Sequence, residues 1–253
     1  MIYYWFIIGA AIGSFLNVCI HRLPRGESII FPSSHCPNCQ NKLSAIDLVP
    51  IIGFLLLRGR CRSCRQPIAL RYPLVELISG LLFAVSWLTA GGDPISYFFQ
   101  VIFLSILTII FFVDLENQVI PDAVSLPGIA LGLIRSSVSG LNQFISALFG
   151  MLLGFGILYL IASLGKWWFK KEAMGEGDWY LGAMLGAYLG WSGVLLAIFI
   201  SYLAAGLAAV LLLAGKRARF GEYIPFGPAL VFGGIITLFW GGQILNWYLG
   251  LFL

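Results

Sequence analysis

Long apolar runs, separated by short polar or glycine-containing stretches, dominate the chain. Runs such as 1–20 and 95–113 reach the length of about 20 residues that a helix needs to cross a hydrocarbon core of about 30 Å. Hydropathy and turn residues together predict helices near 2–20, 73–90, 95–113, 123–139, 142–165, 179–190, 193–214 and 225–250. The pattern predicts an all-α polytopic membrane protein with about eight transmembrane helices.

The composition supports this fold class. Of the 253 residues, 60% are hydrophobic and 10% are charged, against about 25% charged in an ordinary soluble domain. The first run has no basic segment before it and no Ala-x-Ala site after it, so we expect a retained helix and not a secretory signal. The weakest helices are 123–139 and 179–190, of which the second would span only about 18 Å.

Basic residues between the predicted helices orient the protein. If the N-terminus lies outside the cytoplasm, the cytoplasmic segments are 21–72, 114–122, 166–178 and 215–224. The first of these holds eight Lys and Arg residues, and the last two hold three each, which is 14 of 15 and leaves only Arg135 on the other side. Because short cytoplasmic loops carry an excess of Lys and Arg, we expect this orientation.

The long polar segment 22–72 carries two Cys-x-x-Cys pairs, Cys36/Cys39 and Cys61/Cys64, with 21 residues between them. Four thiolates form the tetrahedral set that closes a structural zinc site. A segment of about fifty residues cannot bury a sufficient core of its own, and a metal would supply the missing stability. We therefore expect a small cytoplasmic zinc-binding loop domain. The alternatives are two redox pairs or unliganded thiols, and Cys19 is interpreted as a packing residue.

Two aspartates lie where predicted helices meet the cytoplasmic side. Asp114 follows the apolar run that ends at Val113, and Asp178 follows Gly177 at the start of another helix. From Asp178, glycine recurs every four residues at 182, 186 and 190, so these positions share one helix face. Small residues at this spacing allow membrane helices to approach closely. We expect Asp178 to face the bundle and to meet Asp114.

A pair of carboxyl groups this close would share a proton, because like charges cannot both ionise side by side. Such a pair can hydrolyse a peptide bond without a metal: the ionised member takes a proton from water and the other bonds the carbonyl oxygen. Helix dipoles favour Asp114 as the proton holder, since it follows a C-terminus while Asp178 precedes a helix. The alternative is a purely structural role, in which both aspartates only flank helix ends, as Asp122 does after Pro121.

Five motifs together resemble those of the type IV prepilin peptidases, across most of the chain. The first is Gly13–Val18 with Arg22-Leu23-Pro24, and the second is the paired Cys-x-x-Cys with Arg58–Cys64 and Arg71–Leu77. Asp114-Leu115 with Ile120-Pro121-Asp122 and Gly175-Glu176-Gly177-Asp178 resemble the segments with the two catalytic aspartates. Ile224–Pro228 is similar to the last motif of the family.

The resemblance implies an aspartyl endopeptidase of the bacterial inner membrane. It would remove the basic leader of prepilins or pseudopilins at the cytoplasmic face, with Asp114 and Asp178 as catalytic residues and Gly175, Gly177 and Asp122 in support. It also implies methylation of the new N-terminus with S-adenosylmethionine, to which Glu76 would contribute. The chain has no Gly-rich methyl-donor loop, so this second activity rests on the resemblance.

One residue departs from the family pattern. Tyr180 stands two positions after Asp178, where many members have lysine. A nearby ammonium would favour the ionised form of Asp178, so its absence bears on the working pH. Both predicted catalytic carboxylates are retained.

The predicted domains are the first transmembrane helix (1–21), the cysteine loop domain (22–72) and a transmembrane peptidase bundle (73–253). The expected partners are prepilin or pseudopilin precursors and the lipid bilayer, with no nucleic acid. A proton-coupled transporter with a zinc-stabilised loop is the alternative function, since transporters also carry aspartates in glycine-rich helices. A transporter, however, needs a polar route across the bilayer, and the outer halves of these helices hold almost no ionisable group except Arg135. A scaffold with a zinc-bound docking loop explains the cysteines but not the paired aspartates.

Overall fold

The computed structural model describes residues 2–170, 174–216 and 225–251. Lys171, Arg217 and Arg219, which belong to the basic residues counted above, lie outside these ranges, as does Ile224 of the last motif. Within them the chain is helical apart from loops and two isolated β-bridges. The helices are α1 (Ile2–Arg22), α2 (Ile52–Leu56), α3 (Arg71–Thr89), α4 (Pro94–Asn117), α5 (Asp122–Ser139), α6 (Leu141–Phe169), α7 (Glu176–Ala214) and α8 (Gly227–Gly250), with a 3-10 turn at Leu23–Arg25.

The predicted fold class is confirmed, with a difference in how the helices are joined. Six helices of the described residues are long and apolar enough to cross a membrane: α1 with its following turn, α3, α4, α6, α7 and α8. The weak segment 123–139 is α5, which contains Pro127 and does not reach that hydropathy. The predicted helices 179–190 and 193–214 are the two halves of α7, separated by non-helical backbone at Gly190. The five-residue α2 in the cysteine loop was not predicted.

The chain divides into two compact units, residues 1–109 and residues 110 onward, with the division inside α4. In the first unit, α1 and α3 pack closely through glycines. A Cβ atom at Gly13 would lie 2.8 Å from the Glu76 Cα, and one at Gly80 would lie 2.7 Å from the Phe6 ring. Asn17 also donates a hydrogen bond of 3.0 Å to the carbonyl of Tyr72. These contacts fix the two helices as an antiparallel pair.

Aromatic side chains pack together where the start of α1, the end of α3 and the start of α4 meet. The rings of Trp5 and Trp87 are stacked with centroids 4.6 Å apart, and the Tyr97 ring lies 4.5 Å from Trp5. Phe83 and Val101 complete this buried cluster. Large rings bury much apolar area with little loss of side-chain freedom, so the cluster joins α1, α3 and the start of α4.

In the second unit, α6 and the first half of α7 approach each other through backbone contacts. A Cβ atom at Gly150 would lie 2.6 Å from the Gly186 carbonyl oxygen, and one at Gly182 would lie 2.7 Å from the Gly154 carbonyl oxygen. The contacts run in opposite order along the two helices, so the helices are antiparallel. The glycine face predicted after Asp178 is therefore the surface that contacts α6.

Gly190 reverses the chain within α7. Its φ of 74° lies in a region that L side chains rarely adopt. Tyr202, twelve residues after Gly190, lies within electrostatic range of Asp178, twelve residues before it. In a continuous helix these residues would be about 36 Å apart. The second half of α7 therefore runs back beside the first half.

Helices α5 and α8 complete the second unit. Gly132 of α5 packs on Ala187, and the Arg135 guanidinium donates a 3.1 Å hydrogen bond to the Tyr188 carbonyl while it lies over the Tyr188 ring. The one basic residue that the charge pattern left on the outer side thus links α5 to α7. On the other side, Gly233 of α8 contacts Ala197 in the second half of α7.

We expect Gly150→Ala to destabilise the protein and Gly156→Ala, on the same helix, to leave it unaffected or slightly more stable. A Cβ atom at Gly150 would meet the backbone of α7, whereas at Gly156 it would meet nothing within 4 Å. Overpacking of this kind costs about 1–3 kcal/mol, and Ala is favoured over Gly in a helix by up to about 1 kcal/mol. Thermal unfolding in detergent measures both, and equal midpoints for the two variants would contradict the close approach.

Candidate active site and metal centre

Asp114 lies in the last turn of α4. The helix continues to Asn117, beyond the predicted end at 113, because residues 114–117 contain no helix breaker, and it ends before Gln118, whose φ is 55°. The Asp114 side chain is only 4% exposed. The amide N–H of Gly227, the first residue of α8, faces its carboxyl group.

Asp178 is the third residue of α7 and is equally buried, at 4% exposure. Its Oδ2 accepts a hydrogen bond of 3.1 Å from the amide N–H of Gly175, the residue before the helix. A carboxylate in the first turn is stabilised by the unpaired amide groups there. The helix begins at Glu176, three residues earlier than predicted, so Asp178 is inside its first turn.

Ile120 packs beneath both helix starts. A Cβ atom at Gly177 would lie 2.7 Å from the Ile120 Cβ, and one at Gly227 would lie 3.2 Å from the Ile120 Cδ1. Gly177 is therefore required for close packing. Gly175 has φ −78° and open space around it, so its described contribution is the N–H donated to Asp178.

The two carboxyl groups lie close enough for their charges to repel. The Asp114 Oδ2 atom is buried and has no hydrogen-bond partner among the described residues. Such an orphaned buried oxygen is costly unless it binds a proton, a water or a ligand. Two buried carboxyl groups that repel each other do not both ionise readily, so the arrangement favours a protonated form for one of them.

A third helix end, besides those that carry the two aspartates, faces the Asp114 carboxyl group. The start of α8 also points an amide N–H at Asp114, and this favours the ionised form of that residue. The contributions at Asp114 oppose each other, so dipoles alone do not assign the proton. The assignment of the proton to Asp114 stays a prediction.

Two residues named in the sequence analysis, Asp122 and Tyr180, and one that was not, Tyr202, have the following positions. Asp122 is exposed at the first position of α5 and caps that helix start by charge. Tyr180 lies against the Phe155 ring, 6.0 Å between centroids. Tyr202, which the sequence did not single out, approaches Asp178 and packs on Phe226 with ring centroids 4.9 Å apart. The one sequence feature that could have indicated Tyr202 is Gly190, which lies midway between it and Asp178 and allows the chain to reverse.

The cysteine loop brings its four thiols together. The sulfur atoms of Cys36, Cys39, Cys61 and Cys64 all lie within 4.8 Å of one another, and no disulfide joins them. The Sγ atoms of Cys36 and Cys64 are 3.9 Å apart, far longer than a disulfide of about 2.05 Å. With Zn–S bonds of about 2.3 Å, two sulfurs of a tetrahedral site are about 3.8 Å apart. The cluster therefore has the dimensions of a four-sulfur metal site.

The two cysteine pairs form equivalent knuckles, 25 positions apart. In the first, the Gln40 amide bonds to the Cys36 carbonyl, and in the second the Arg65 amide bonds to the Cys61 carbonyl. Both Gln40 and Arg65 have a positive φ, 60° and 62°. The amides of Cys64 and then Ser63 lower the pKa of the Cys61 thiol to about 6. Turns that aim amide groups at a sulfur favour the thiolate, which is the form that binds metal.

Glu76 is buried in the first unit, at 8% exposure, and one oxygen is already bonded. Its Oε2 accepts a 2.7 Å hydrogen bond from the amide of Ile51, just before α2. Ser14 provides a second hydrogen bond. The carboxylate therefore holds the cysteine loop against α1 and α3. The contribution of Glu76 to methylation stays a prediction.

Comparison with known proteins decides the family. Residues 7–90 match the Bacterial Peptidase A24 N-terminal domain and residues 101–210 match the Type IV leader peptidase family. A prepilin leader peptidase/N-methyltransferase of Aeromonas hydrophila is 34% identical, covering 98% of this chain and 93% of its own. The chain belongs to the family of the prepilin leader peptidases/N-methyltransferases. Proteins of the same description from Stutzerimonas stutzeri (35%) and Neisseria gonorrhoeae (34%) each cover 96% of the chain, and 92% and 93% of their own length.

Family membership confirms the predicted resemblance and the predicted enzyme class. The transporter alternative is not supported by any of these matches. No solved structure matches the chain significantly. The catalytic and supporting roles of individual residues, and the division into domains at 21 and 72, stay predictions.

We expect Cys61→Ser to remove bound metal from the purified protein, because a site with three thiolates loses its tetrahedral closure. Cys19→Ser is the matched control, since Cys19 lies in α1, outside the cluster. Metal content measured by mass spectrometry, in protein purified without chelator, should be about one ion per chain in the control. Equal metal content in both variants would show that the thiols are not ligands.

Proposed function

We propose that this protein is a membrane aspartyl endopeptidase that removes the leader peptide of type IV prepilins or pseudopilins. The observation that carries the proposal is the buried pair of carboxyl groups, Asp114 and Asp178, at the ends of two membrane helices. The relatives' names state prepilin leader cleavage. A structural role alone does not require two like charges to be buried side by side.

In the proposed reaction the pair holds a single proton and one water molecule. The ionised carboxylate takes a proton from the water as the water oxygen bonds to the scissile carbonyl carbon. The protonated carboxyl group hydrogen-bonds the carbonyl oxygen as negative charge develops there. The tetrahedral intermediate then collapses and the C–N bond breaks. The leaving amine takes up the proton that the carboxylate accepted from the water. No metal is needed for these steps.

The position of the pair fits a substrate with a polar leader and an apolar helix. Asp114 lies in the last turn of one membrane helix and Asp178 in the first turn of another, so a bond between them lies at the edge of the hydrocarbon. Because 14 of the 15 Lys and Arg residues fall in the segments on this side, we place it at the cytoplasmic face. The N-terminus then lies outside the cytoplasm, and the protein resides in the inner membrane.

We propose Zn²⁺ as the ion of the four-cysteine site. The tetrahedral set of four thiolates, with a sulfur–sulfur distance of 3.9 Å, is typical of closed structural zinc sites. The ion would join the two knuckles and stabilise the loop of residues 22–72, which we propose as the region associated with methylation.

We propose the second activity, N-methylation of the new N-terminus, from the relatives' names and the complete cysteine set. S-adenosylmethionine would supply the methyl group. We assign Glu76 a positioning role toward the cysteine loop, and we assign no step of methyl transfer to it.

We expect Asp114→Asn and Asp178→Asn each to reduce leader cleavage by about 10²- to 10⁴-fold. Either change removes the shared proton and leaves an amide that can neither accept a proton from water nor donate one as an acid. The measurement uses purified protein with a pilin-precursor peptide. Glu116→Gln is the matched control, because Glu116 is exposed two positions after Asp114 on the same helix. Retained cleavage in both aspartate variants would overturn the proposal.

We expect Gly227→Ala to lower cleavage strongly, and Gly242→Ala to leave it unchanged. A Cβ atom at Gly227 would lie 2.5 Å from the Asp114 Oδ2, whereas at Gly242 it would meet nothing within 4 Å. Misplacement of a reacting group by about 1 Å can cost about 10²-fold in rate. If the same peptide assay shows wild-type rates for Gly227→Ala, the carboxyl group of Asp114 does not need its described position.

A further inference from the structure

The loop between α1 and α3 exposes large apolar side chains on and beside α2. Ile52, Leu55 and Leu56 are 54%, 65% and 67% exposed, and Ile46 is 59% exposed. The spacing of the three helical residues places them on one face. Ile46 is close to α2 through its backbone, because its carbonyl oxygen would be 3.1 Å from a Cβ atom at Gly53. We call the three helical residues Ile52, Leu55 and Leu56 the α2 surface.

The α2 surface lies at the level where α3 enters the membrane. The amide of Ile51, just before α2, donates a 2.7 Å hydrogen bond to Glu76, which is the sixth residue of α3. The 19 residues of α3 extend about 28 Å, barely enough to cross a hydrocarbon core of about 30 Å. All of α3 is therefore needed for the crossing, and the start of α2 lies beside its first turns.

Basic residues adjoin the α2 surface. Arg58, Arg60 and Arg65 follow it on the second knuckle and are exposed, as is Lys42. Asp47 is the one acidic residue of the sequence between 28 and 70, and it is paired with Arg62 at 2.7 Å. The Ser44 hydroxyl and Arg62 also hold the pKa of Asp47 below its usual range. The exposed charge of the segment that carries the α2 surface is therefore positive.

We propose that the α2 surface inserts into the headgroup region of the protein's own bilayer and that the adjacent arginines bind the phosphate groups of anionic lipids. Apolar side chains with basic neighbours at the level of the interface bind anionic surfaces by burial and charge together. The tether to α1 and α3 removes most of the entropic cost of association. The partner is thus a negatively charged lipid surface.

Hydrogen exchange of the full-length protein in lipid nanodiscs tests the proposal. One set of discs contains phosphatidylcholine alone, and the other contains phosphatidylcholine with phosphatidylglycerol. We expect amides 52–58 to exchange at least about fivefold more slowly in the anionic discs, whereas amides 36–45 of the first knuckle exchange equally in both. Equal exchange of amides 52–58 in both discs and in detergent would overturn the proposal.

Two variants separate the apolar and the basic contributions. Leu55→Gln with Leu56→Gln should remove the protection in both kinds of disc. Arg58→Gln with Arg60→Gln and Arg65→Gln should remove only the difference between them. Ile30→Gln is the matched control, since Ile30 is 72% exposed in the same loop but outside the α2 surface. Metal content of each variant reports whether the cysteine loop is folded.

Other occupants give different results. Protection that depends on two protein copies per disc, and not on lipid charge, would mean that a second copy covers the α2 surface. Protection that appears only after addition of a precursor peptide would mean that the substrate does so. Either result overturns the lipid proposal, and neither depends on whether Asp114 and Asp178 are catalytic.

Discussion

The close approach of α6 to the first half of α7 is the contact on which the second unit depends. Hydrocarbon solvates apolar side chains as well as a protein interior does, so membrane helices are held together by close packing rather than by exclusion of water. Gly150 and Gly154 on one helix and Gly182 and Gly186 on the other allow backbone to meet backbone. This packing positions the first half of α7, and Asp178 is in the first turn of that half.

The carboxyl pair and its neighbours come from the ends of helices rather than from their middles. The end of α4, the segment that contains Ile120, the start of α7 and the start of α8 each contribute one part. Helix ends carry backbone groups without intrahelical partners, and these groups can face a carboxylate or a substrate peptide. The reversal at Gly190 returns the chain so that Tyr202 also lies within electrostatic range of Asp178.

Much of this arrangement was predictable because charged residues and cysteine pairs stand out in an apolar sequence. The spans, the burial of Asp178 and the meeting of the four cysteines follow from hydropathy, spacing and residue type. Gly227 and Ile120 were not predictable as neighbours of the pair, because neither carries chemistry that marks it. The hydrogen bond between Glu76 and the Ile51 amide depends on how the cysteine loop folds back onto α3, which hydropathy and spacing do not predict.

The repeated knuckles have a consequence for the segment between them. Each knuckle offers only two sulfurs, so an ion bound to all four cross-links positions 25 residues apart and closes a loop that contains the whole of α2. Closing such a loop in advance lowers the conformational entropy that any later contact must overcome. Metal occupancy and the affinity of this loop for its binding partner are therefore thermodynamically linked. Depletion of the ion would lower both the stability of the loop and that affinity.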